Sequence, residues 1–275
     1  MKAADLFDVR GLVTIVTGGA SGIGYGYAEV MAANGANVTL FDLDGAAARQ
    51  AAQTLSKAHG VAVGAEIVDV TDRAALDRAV DAVAAAAGGR LDVMFANAGI
   101  GGGAGFLVGP DNARNPERTI EKLPLEQLER VFAVNVTGAL ATIQAAVRHM
   151  KPRKSGRIIV TSSIDSFITE QYVGTPYVIS KGAVGQMVRQ AALELAAYGI
   201  TVNAIAPGPT VTNISGGRLK QPAALATFGP MIPMHRLGTP EDLHGLALFL
   251  ASPSSRYITG VHVVADGGYV LGPAD

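Results

Sequence analysis

The sequence of 275 residues contains no cysteine, and this absence removes several classes of site. Without thiols the chain has no disulfide framework, no thiolate metal centre and no cysteine nucleophile. No other pattern indicates a metal site. The lack of cysteine leaves the cellular compartment open, although a reducing one fits.

Charge and long apolar runs are also scarce. Charged residues make up 16% of the chain and nearly cancel, to a net charge of −1, so there is no electrostatic reason to bind nucleic acid or an anionic membrane. No segment approaches the roughly 20 uninterrupted apolar residues of a spanning helix. The first residues, MKAADLFDVRG, include acids where a secretory signal has a basic region and an apolar core. We therefore expect a cytoplasmic protein with no nucleic-acid or membrane partner.

Apolar residues are abundant, at 49%, and β-branched runs alternate with alanine-rich stretches of helical length. The runs are apolar throughout, which indicates strands buried on both faces, as in a parallel sheet covered by helices. With no repeat and no linker, we predict one α/β domain over residues 1–275, a doubly wound parallel sheet. The predicted strands are Val13–Thr17, Asn37–Phe41, Val61–Val68, Leu91–Ala96, Arg157–Ser162, Ile200–Ala206 and Val261–Ala265. The predicted helices are Gly22–Asn34, Asp44–His59, Asp72–Gly88, Leu125–Met150, Tyr177–Tyr198 and Pro240–Ala251.

The first predicted strand runs directly into a glycine-rich stretch, Thr17-Gly-Gly-Ala-Ser-Gly-Ile-Gly24. Its glycines allow a tight turn and a close approach of the backbone to a pyrophosphate, whose charge then faces the positive end of the next helix. No Gly-Lys-Ser/Thr follows, so the stretch is not a P-loop. The strand before it and the helix after it favour a dinucleotide site over a simple turn. The residues predicted to bind the cofactor here are Gly18, Ser21, Gly22, Ile23 and Gly24.

Asp42 ends the second predicted strand, eighteen residues after Gly24. A carboxylate at this place accepts hydrogen bonds from the adenosine ribose and repels a 2′-phosphate. Neither Ser21 nor Leu43 supplies the positive charge that a phosphorylated ribose requires. The sequence therefore favours NAD over NADP, although a strand-end turn is the simpler alternative for Asp42.

Two further polar groups follow strands at the edge where open α/β sheets bind ligands. Asp69 and Val70 follow the third strand, and Asn97-Ala98-Gly99 follows the fourth. We predict that all five residues contact the cofactor. Asp69 is alternatively a cap for the helix that begins near Asp72, and Asn97 is alternatively a turn residue.

Tyr177 and Lys181 lie four residues apart at the start of a predicted helix, and hence on one face. A phenol ionises near pH ~10, and a neighbouring positive charge lowers its pKa. The pair predicts a general acid or base that works near neutral pH. Taken alone, a Tyr-x-x-x-Lys spacing is more often a surface helix with an extended lysine.

Taken together, these motifs resemble the short-chain dehydrogenase/reductase family, from about Gly11 to Tyr269. The resemblance rests on an ordered set: Thr17–Gly24, Asp69, Asn97-Ala98-Gly99, Asn135, Ser163, Tyr177-x-x-x-Lys181, Pro207-Gly208 and Asp266-Gly267-Gly268. It implies a Rossmann-type sheet of about seven strands in the order 3-2-1-4-5-6-7. It also implies NAD(P)-dependent interconversion of a secondary alcohol and a ketone.

The resemblance further implies roles for individual residues. Tyr177 exchanges the proton, and Lys181 lowers the pKa of Tyr177 and holds the nicotinamide ribose. Ser163 hydrogen-bonds the substrate oxygen, and Asn135 supports a proton relay through Lys181. Further residues are assigned to ligands: Pro207, Gly208, Thr210 and Thr212 to the cofactor, with Asp165 and Ile214 beside Ser163 and Tyr177 to the substrate.

The catalytic serine departs from the family spacing. The family places it thirteen residues before the tyrosine, whereas Ser163 is fourteen before Tyr177, and Ile164 occupies the expected place. We infer one extra residue in the Asp165–Pro176 loop, with Ser162 as the alternative serine. Hydrolysis by a serine nucleophile is disfavoured because no Gly-x-Ser-x-Gly stretch surrounds Ser163.

Two irregular segments are predicted to border the substrate, residues 100–123 and 212–237. The second resembles the family's substrate lid, whereas the first is either a lid or an ordinary surface loop. The apolar content of the second segment and of Phe167–Tyr172 favours a neutral, hydrophobic substrate, with Arg218 and Arg236 as the exceptions. The helix from Tyr177 carries more apolar surface than one sheet contact buries: Val184, Met187, Val188, Ala191, Ala192 and Leu195. With the family resemblance, this favours a homotetramer.

Other readings of the chain stay open at this stage. One is a family member that catalyses dehydration or epimerisation, against which the intact proton-transfer set argues. Another is a catalytically silent NAD(H)-binding sensor or scaffold. Such proteins tend to lose the tyrosine or the lysine, and this chain has both Tyr177 and Lys181.

Overall fold

A seven-stranded parallel sheet forms the centre of the computed structural model, which describes residues 2–108 and 113–273. Its strands lie in the order β3-β2-β1-β4-β5-β6-β7, and each neighbouring pair is parallel. The predicted class and strand order are therefore confirmed. The strands are β1 Val13–Thr17, β2 Asn37–Asp42, β3 Val63–Ile67, β4 Val93–Ala96, β5 Gly156–Thr161, β6 Ile200–Pro207 and β7 His262–Ala265.

Helices cover both faces of this sheet. They are α1 Gly22–Ala33, α2 Gly45–His59, α3 Arg73–Ala86, α4 Leu125–Met150, α5 Thr175–Leu195 and α7 His244–Ala251. A further helix, α6 Pro222–Phe228, packs in a separate apolar cluster with Tyr172 and Ile232. Six of the seven agree with the predicted helices to within a few residues, and α6 does not, because it lies in the segment expected to be an irregular lid. Asp44 and Asp72 cap α2 and α3 by accepting hydrogen bonds from backbone N–H groups of the first turn.

Two apolar layers hold the helices to the sheet, one on each face. Consecutive strand residues alternate between the layers, so Ile15 packs with α3, α4 and α5, whereas Val16 packs with α1, α2 and α7. The same alternation places Met94 in the first layer and Phe95 in the second. All four side chains are fully buried, and each contributes about 1.5–3 kcal/mol of transfer free energy. This double burial explains why the strand sequences are apolar throughout.

Helix α4 is, by length and composition alone, apolar enough to cross a membrane. Half of its most apolar window is buried against the rest of the chain, and Ile143, Ala146 and Met150 belong to the layer against the sheet. Its apolar character is therefore that of a core helix. No second helix of this kind occurs within residues 2–108 and 113–273.

The apolar face of α5 is buried within the single chain, contrary to the expectation that it exceeds one sheet contact. Val184, Val188, Ala192 and Leu195 lie in the core, and Met187 and Ala191 pack against it. The large apolar side chains that α5 exposes are Ile179 and Leu193, which are 45% and 77% exposed. These six residues therefore give no argument for a tetramer, which stays a prediction from the family resemblance.

Candidate active site

A cleft of about 510 Å³ runs along the carboxyl edge of the sheet, where the loops after β1, β2, β3, β4, β5 and β6 meet the start of α5. Its walls include every predicted site residue except Gly24 and Asn135. Those two residues lie behind the walls, where Gly24 packs against Gly18 and Asn97, and Asn135 hydrogen-bonds Ile100 and Ser180. The cleft therefore joins the predicted cofactor and substrate residues in one space.

The glycine loop is packed too tightly for any side chain at its last glycine, Gly24. A Cβ on Gly24 would lie 2.1 Å from the Gly18 carbonyl oxygen and 2.5 Å from Asn97 Nδ2. Gly18 and Gly22 adopt φ of +64° and +55°, which L side chains rarely adopt. The loop thus opens α1 with its backbone exposed to the cleft, as a pyrophosphate requires.

Asp42 holds this loop from the end of β2. One carboxylate oxygen accepts from Ala20 N at 3.0 Å and the other from Asp44 N at 3.1 Å. Each oxygen keeps a lone pair for a ribose hydroxyl. The exposed Leu43 follows it, and among the described residues that line the cleft the basic ones are Lys181 and Arg218, both beyond the glycine loop.

Asn97 connects three strand ends rather than stabilising its own turn. Its Nδ2 donates to the Thr17 and Gly18 carbonyls at 3.0 and 3.2 Å, and its Oδ1 accepts from Thr161 Oγ1 at 2.9 Å. Thr17 Oγ1 in turn accepts from Asn97 N and Ala98 N. The sequence motif included Thr17 but did not reveal the role of its side chain, and it missed Thr161, because threonine at a strand end carries no distinctive signal.

Asp69 is not the cap of α3, which was one reading of it. Its Oδ1 accepts from Thr71 N and Thr71 Oγ1 at 2.8 and 2.7 Å, and Asp72 caps the helix instead. Asp69 and Val70 line the cleft near the glycine loop.

Lys181 is buried at the inner end of the cleft, with its Nζ donating to the Thr161 carbonyl at 2.8 Å. The ammonium lies 5.4 Å from the centre of the Tyr177 ring, so the predicted pairing on one face of α5 is present. Burial lowers the pKa of Lys181 to about 8, partly offset by the negative charge of Asp165. Lys181 thus remains mostly cationic at neutral pH.

The pKa of Tyr177 differs from the expectation. Burial raises it above the ordinary value, and the charge of Asp165 raises it further, while a hydrogen bond with Ser163 lowers it in part. The expectation of a lowered pKa for Tyr177 is therefore wrong for this structure, because desolvation of the phenolate is the largest effect.

Ser163, rather than Ser162, presents its hydroxyl to Tyr177. The Ser163 Oγ donates to Asp165 Oδ2 at 3.0 Å and is within hydrogen-bonding reach of the Tyr177 phenol. Ser162 also lines the cleft, but its buried Oγ has no hydrogen-bond partner among the described residues. The structure therefore favours the assignment that required an extra residue in the loop.

Asn135 acts from a widened turn of α4, where residues Ala133–Gly138 are π-helical. Its Oδ1 accepts from Ile100 N at 2.8 Å, and its Nδ2 donates to Ile100 O and to Ser180 Oγ at 3.0 and 3.1 Å. Asn135 therefore joins the β4 loop to the helix of Tyr177 and Lys181. Such π-helical turns are frequent at functional sites.

The glycine-rich segment 100–123 braces the loop before Tyr177, and only Ile100 and Gly101 of its described residues line the cleft; residues 109–112 lie outside the described part. Its backbone exchanges hydrogen bonds with residues 171–174: Gly105 N to Tyr172 O, Leu107 N to Gln171 O and Gly174 N to Gly103 O. A Cβ on Gly102 would lie 2.6 Å from Tyr177 N. Of the two readings, a lid or an ordinary surface loop, the lid is the less well supported, and the loop has the added role of bracing the segment before Tyr177.

The segment 212–237 borders the substrate end through Ile214, Leu219 and Phe228. Arg218 from this segment also lines the cleft and donates to the Tyr172 carbonyl at 2.9 Å, with its Nε buried and without a partner among the described residues. Arg236 pairs with Asp242 at 2.7 Å and is not part of the wall. Of the two arginines named as exceptions from the sequence, Arg218 is therefore at the wall and Arg236 is not.

Sequence reasoning missed two further polar residues at the substrate end. Glu170 lines the cleft, and its Oε2 accepts from the Tyr269 hydroxyl at 2.6 Å. These residues are 99 positions apart, so only the tertiary fold joins them. Gly208 is pressed against the turn of Asp266, where a Cβ would lie 2.6 Å from Asp266 Cβ; this explains the glycine after Pro207.

Comparison with known proteins identifies the family of this chain. A family model described as enoyl-(acyl carrier protein) reductase matches residues 18–270. The chain is 36% identical to galactitol 2-dehydrogenase (L-tagatose-forming) of Cereibacter sphaeroides, over 98% of this chain and 100% of that protein. The chain belongs to the short-chain dehydrogenase/reductase family.

Other members of the short-chain dehydrogenase/reductase family show how varied the substrates are. The chain is 34% identical to 3β-hydroxysteroid dehydrogenase 1 of Eggerthella lenta, over 97% of this chain and 96% of that protein. It is 35% identical to cyclohexanol dehydrogenase of a Rhodococcus strain, over 96% and 98%. This short-chain dehydrogenase/reductase is thus an oxidoreductase whose relatives act on alcohol or keto substrates.

Solved structures give the same fold. A short-chain type dehydrogenase/reductase from Mycobacterium marinum superposes with a TM-score of 0.86 at 32% identity, covering 98% of this chain and 99% of that one. The NADPH-dependent 3-quinuclidinone reductase of Rhodotorula rubra reaches 0.85 at 31% identity, covering 98% and 95%. The family binds nicotinamide cofactors, and this neighbour uses NADPH, so membership alone does not select NAD.

Proposed function

We propose that this protein interconverts a secondary alcohol and a ketone with NAD as the cofactor. The observation that carries the proposal is the meeting of Ser163, Tyr177 and Lys181 in the cleft that begins at the glycine loop. The residues present fit a dinucleotide, because the loop at Gly24 has no room for even one Cβ and leaves its backbone facing the cleft. When bound, the nicotinamide would give or take the hydride.

The chain's own residues would handle the proton and the developing charge. Tyr177 would pass a proton to the oxygen of the reduced substrate, or remove it from an alcohol. Ser163 would hold that oxygen, and Lys181, fixed by the Thr161 carbonyl, would supply positive charge beside Tyr177. Burial and the charge of Asp165 raise the pKa of Tyr177. A positive charge on the oxidised nicotinamide would oppose them and favour the Tyr177 phenolate.

The preference for NAD is supported by Asp42 and by what surrounds it. Asp42 is the last residue of β2, and the N–H groups of Ala20 and Asp44 each donate a hydrogen bond to one of its two carboxylate oxygens. No basic side chain stands beside it among the described wall residues. A lost ribose hydrogen bond and repulsion of a 2′-phosphate are each of order 1 kcal/mol. We expect kcat/KM to favour NAD over NADP about tenfold or more.

For the substrate we propose a neutral alcohol or ketone whose body contacts the apolar wall. Ile164, Val173, Ile214, Leu219 and Phe228 supply that wall. The buried carboxyl of Asp165 beside Ser163 disfavours an anionic group next to the reacting carbon. We further propose that the protein is a cytoplasmic homotetramer.

The test is nicotinamide absorbance during turnover, with NAD and NADP measured separately. The substrate panel comprises cyclic alcohols, hydroxysteroids and sugar alcohols with their ketones. Tyr177→Phe should abolish turnover while NADH still binds, and Tyr257→Phe should have no effect because Tyr257 is fully exposed at 101%. Activity retained by Tyr177→Phe would refute the mechanism, and NADH binding without turnover of the panel would favour a silent binder. Preference for NADP would refute the reading of Asp42.

A further inference from the structure

Asp165 is a buried carboxyl next to the catalytic serine, and the proton-transfer scheme above gives it no task. It lies in the 3₁₀ turn after β5 and is 7% exposed. Its Oδ2 contacts Ser163 Oγ at 3.0 Å, and its Oδ1 is buried without a partner among the described residues. Buried carboxyls are costly and normally fully paired, so this one requires an explanation.

The hydrogen bonds of Ser163 limit what its hydroxyl can do. A serine hydroxyl has one proton to donate and two lone pairs. One lone pair is taken by Asp165 N, which donates to Ser163 Oγ at 3.2 Å. An ionised carboxylate only accepts, so the 3.0 Å contact with Oδ2 takes the single proton of Ser163. In that state Ser163 has a lone pair left and no proton for a ketone oxygen.

The situation reverses when Asp165 carries a proton. The carboxyl O–H then donates to the second lone pair of Ser163 Oγ across the same contact. The Ser163 proton is released toward the cleft, where the Tyr177 phenol and the substrate oxygen are placed. A donor directed at the oxygen that gains negative charge stabilises the transition state.

We propose that Asp165 is a positioning residue that sets the hydrogen-bond polarity of Ser163, so that Ser163 donates to the reacting oxygen only while Asp165 is protonated. The inference deepens the proposed function and rests on it, because the donor acts on hydride transfer at a carbonyl carbon. Asp165 touches neither the reacting atoms nor the cofactor in this scheme.

The surroundings of Asp165 favour its protonated form. Burial raises its pKa to about 6, and the negative charge of Glu170 adds to this, while the Ser163 hydrogen bond and the Lys181 charge oppose it. The charge of Asp165 also acts on two phenols, Tyr177 of α5 and Tyr269 of the C-terminal segment, and it contributes to raising the pKa of each. Asp165 therefore titrates below neutral pH while Tyr177 keeps its proton.

The first experiment needs no substrate. Infrared difference spectra against pH would follow the Asp165 carboxyl band, which Asp165→Asn identifies by its loss. In Ser163→Ala the ionised carboxylate loses its donor, so the titration midpoint should move to higher pH. The matched control is Ser162→Ala, whose hydroxyl contacts no partner in the described chain; it should leave the midpoint in place. Equal midpoints for wild type and Ser163→Ala would overturn the coupling.

The second experiment is the pH profile of cyclohexanone reduction, or of the best ketone in the panel, in single turnovers with NADH. For the wild type the rate should fall about tenfold per pH unit above the Asp165 midpoint and level off about a hundredfold lower, as for loss of one oxyanion donor. Asp165→Asn should remove this fall, because its amide donates to Ser163 at every pH. Asp81→Asn, on the exposed side of α3, should keep the wild-type profile.

A merely structural role for Asp165 predicts something different, namely a lower rate for Asp165→Asn with the same pH dependence as the wild type. That result would overturn the proposal. Absence of turnover by the wild type with every ketone would count against the proposed function instead. The infrared measurement would still decide the coupling of Asp165 to Ser163.

Discussion

Replacement of Asp165 by asparagine should stabilise the protein at neutral pH, although it alters a buried residue of the active site. The folded state raises the pKa of this carboxyl from 3.8 to about 6, mainly through burial. A carboxyl that binds its proton more tightly when folded contributes full stability below about pH 4 and loses it as pH rises through about 6. Over that interval the loss approaches about 3 kcal/mol. The amide that replaces the carboxyl in the variant carries no charge at any of these pH values, so the variant escapes this loss.

The assay is urea denaturation at fixed protein concentration, repeated from about pH 4 to about pH 7.5. Asp165→Asn and the wild type should be close in free energy of unfolding at the acid end. The variant should become more stable as pH rises, by up to about 3 kcal/mol at the neutral end. Lys181 does not obscure the result, because its pKa is about 8 and lies above this window.

Asp242 provides a control of opposite sign. Its hydrogen bond with Arg236 holds its pKa at about 2, so its ionised form stabilises the fold above about pH 4 and that stability is lost as pH falls. Asp242→Asn should therefore be less stable than the wild type at neutral pH, with a difference that shrinks toward acid. A constant difference for Asp165→Asn across the range, or a less stable variant at neutral pH, would refute the reasoning.

Three other changes test the site and the assembly. Gly24→Ala should weaken NADH binding about tenfold to a hundredfold by fluorescence titration, because its Cβ would overlap the Gly18 carbonyl at 2.1 Å; wild-type affinity would contradict the tight packing of the loop. Gly102→Ala should lower kcat at least about tenfold with little change in NADH affinity, because it displaces Tyr177 N; the control Gly182→Ala meets nothing within 4 Å and should keep kcat. An unchanged kcat in Gly102→Ala would show that the segment 100–123 does not brace Tyr177 and is an ordinary surface loop. Light scattering at micromolar concentration should give a tetramer, and a monomer would contradict the family expectation.

Local patterns were sufficient for most of the fold. Strands that are buried on both faces have unbroken apolar sequences, and the helices have alanine-rich sequences. The positions of both could therefore be predicted from short stretches of the chain. The glycine loop could also be predicted from the sequence, because the turn between β1 and α1 needs residues without side chains at positions 18, 22 and 24. The identity of the tyrosine and lysine pair follows from helical spacing together with the family resemblance.

Contacts between distant segments decided the rest. The Asn97 bridge between β1 and β5, the bracing of Tyr177 by Gly102, and the Glu170–Tyr269 hydrogen bond join residues far apart in sequence. The direction of the Tyr177 pKa also depended on tertiary structure, because desolvation and the field of Asp165 arise only when the site is enclosed. The sequence by itself determined which groups are present and which strand or helix carries each one. Only the tertiary structure decided which proton each group holds, because burial and neighbouring charge set that choice.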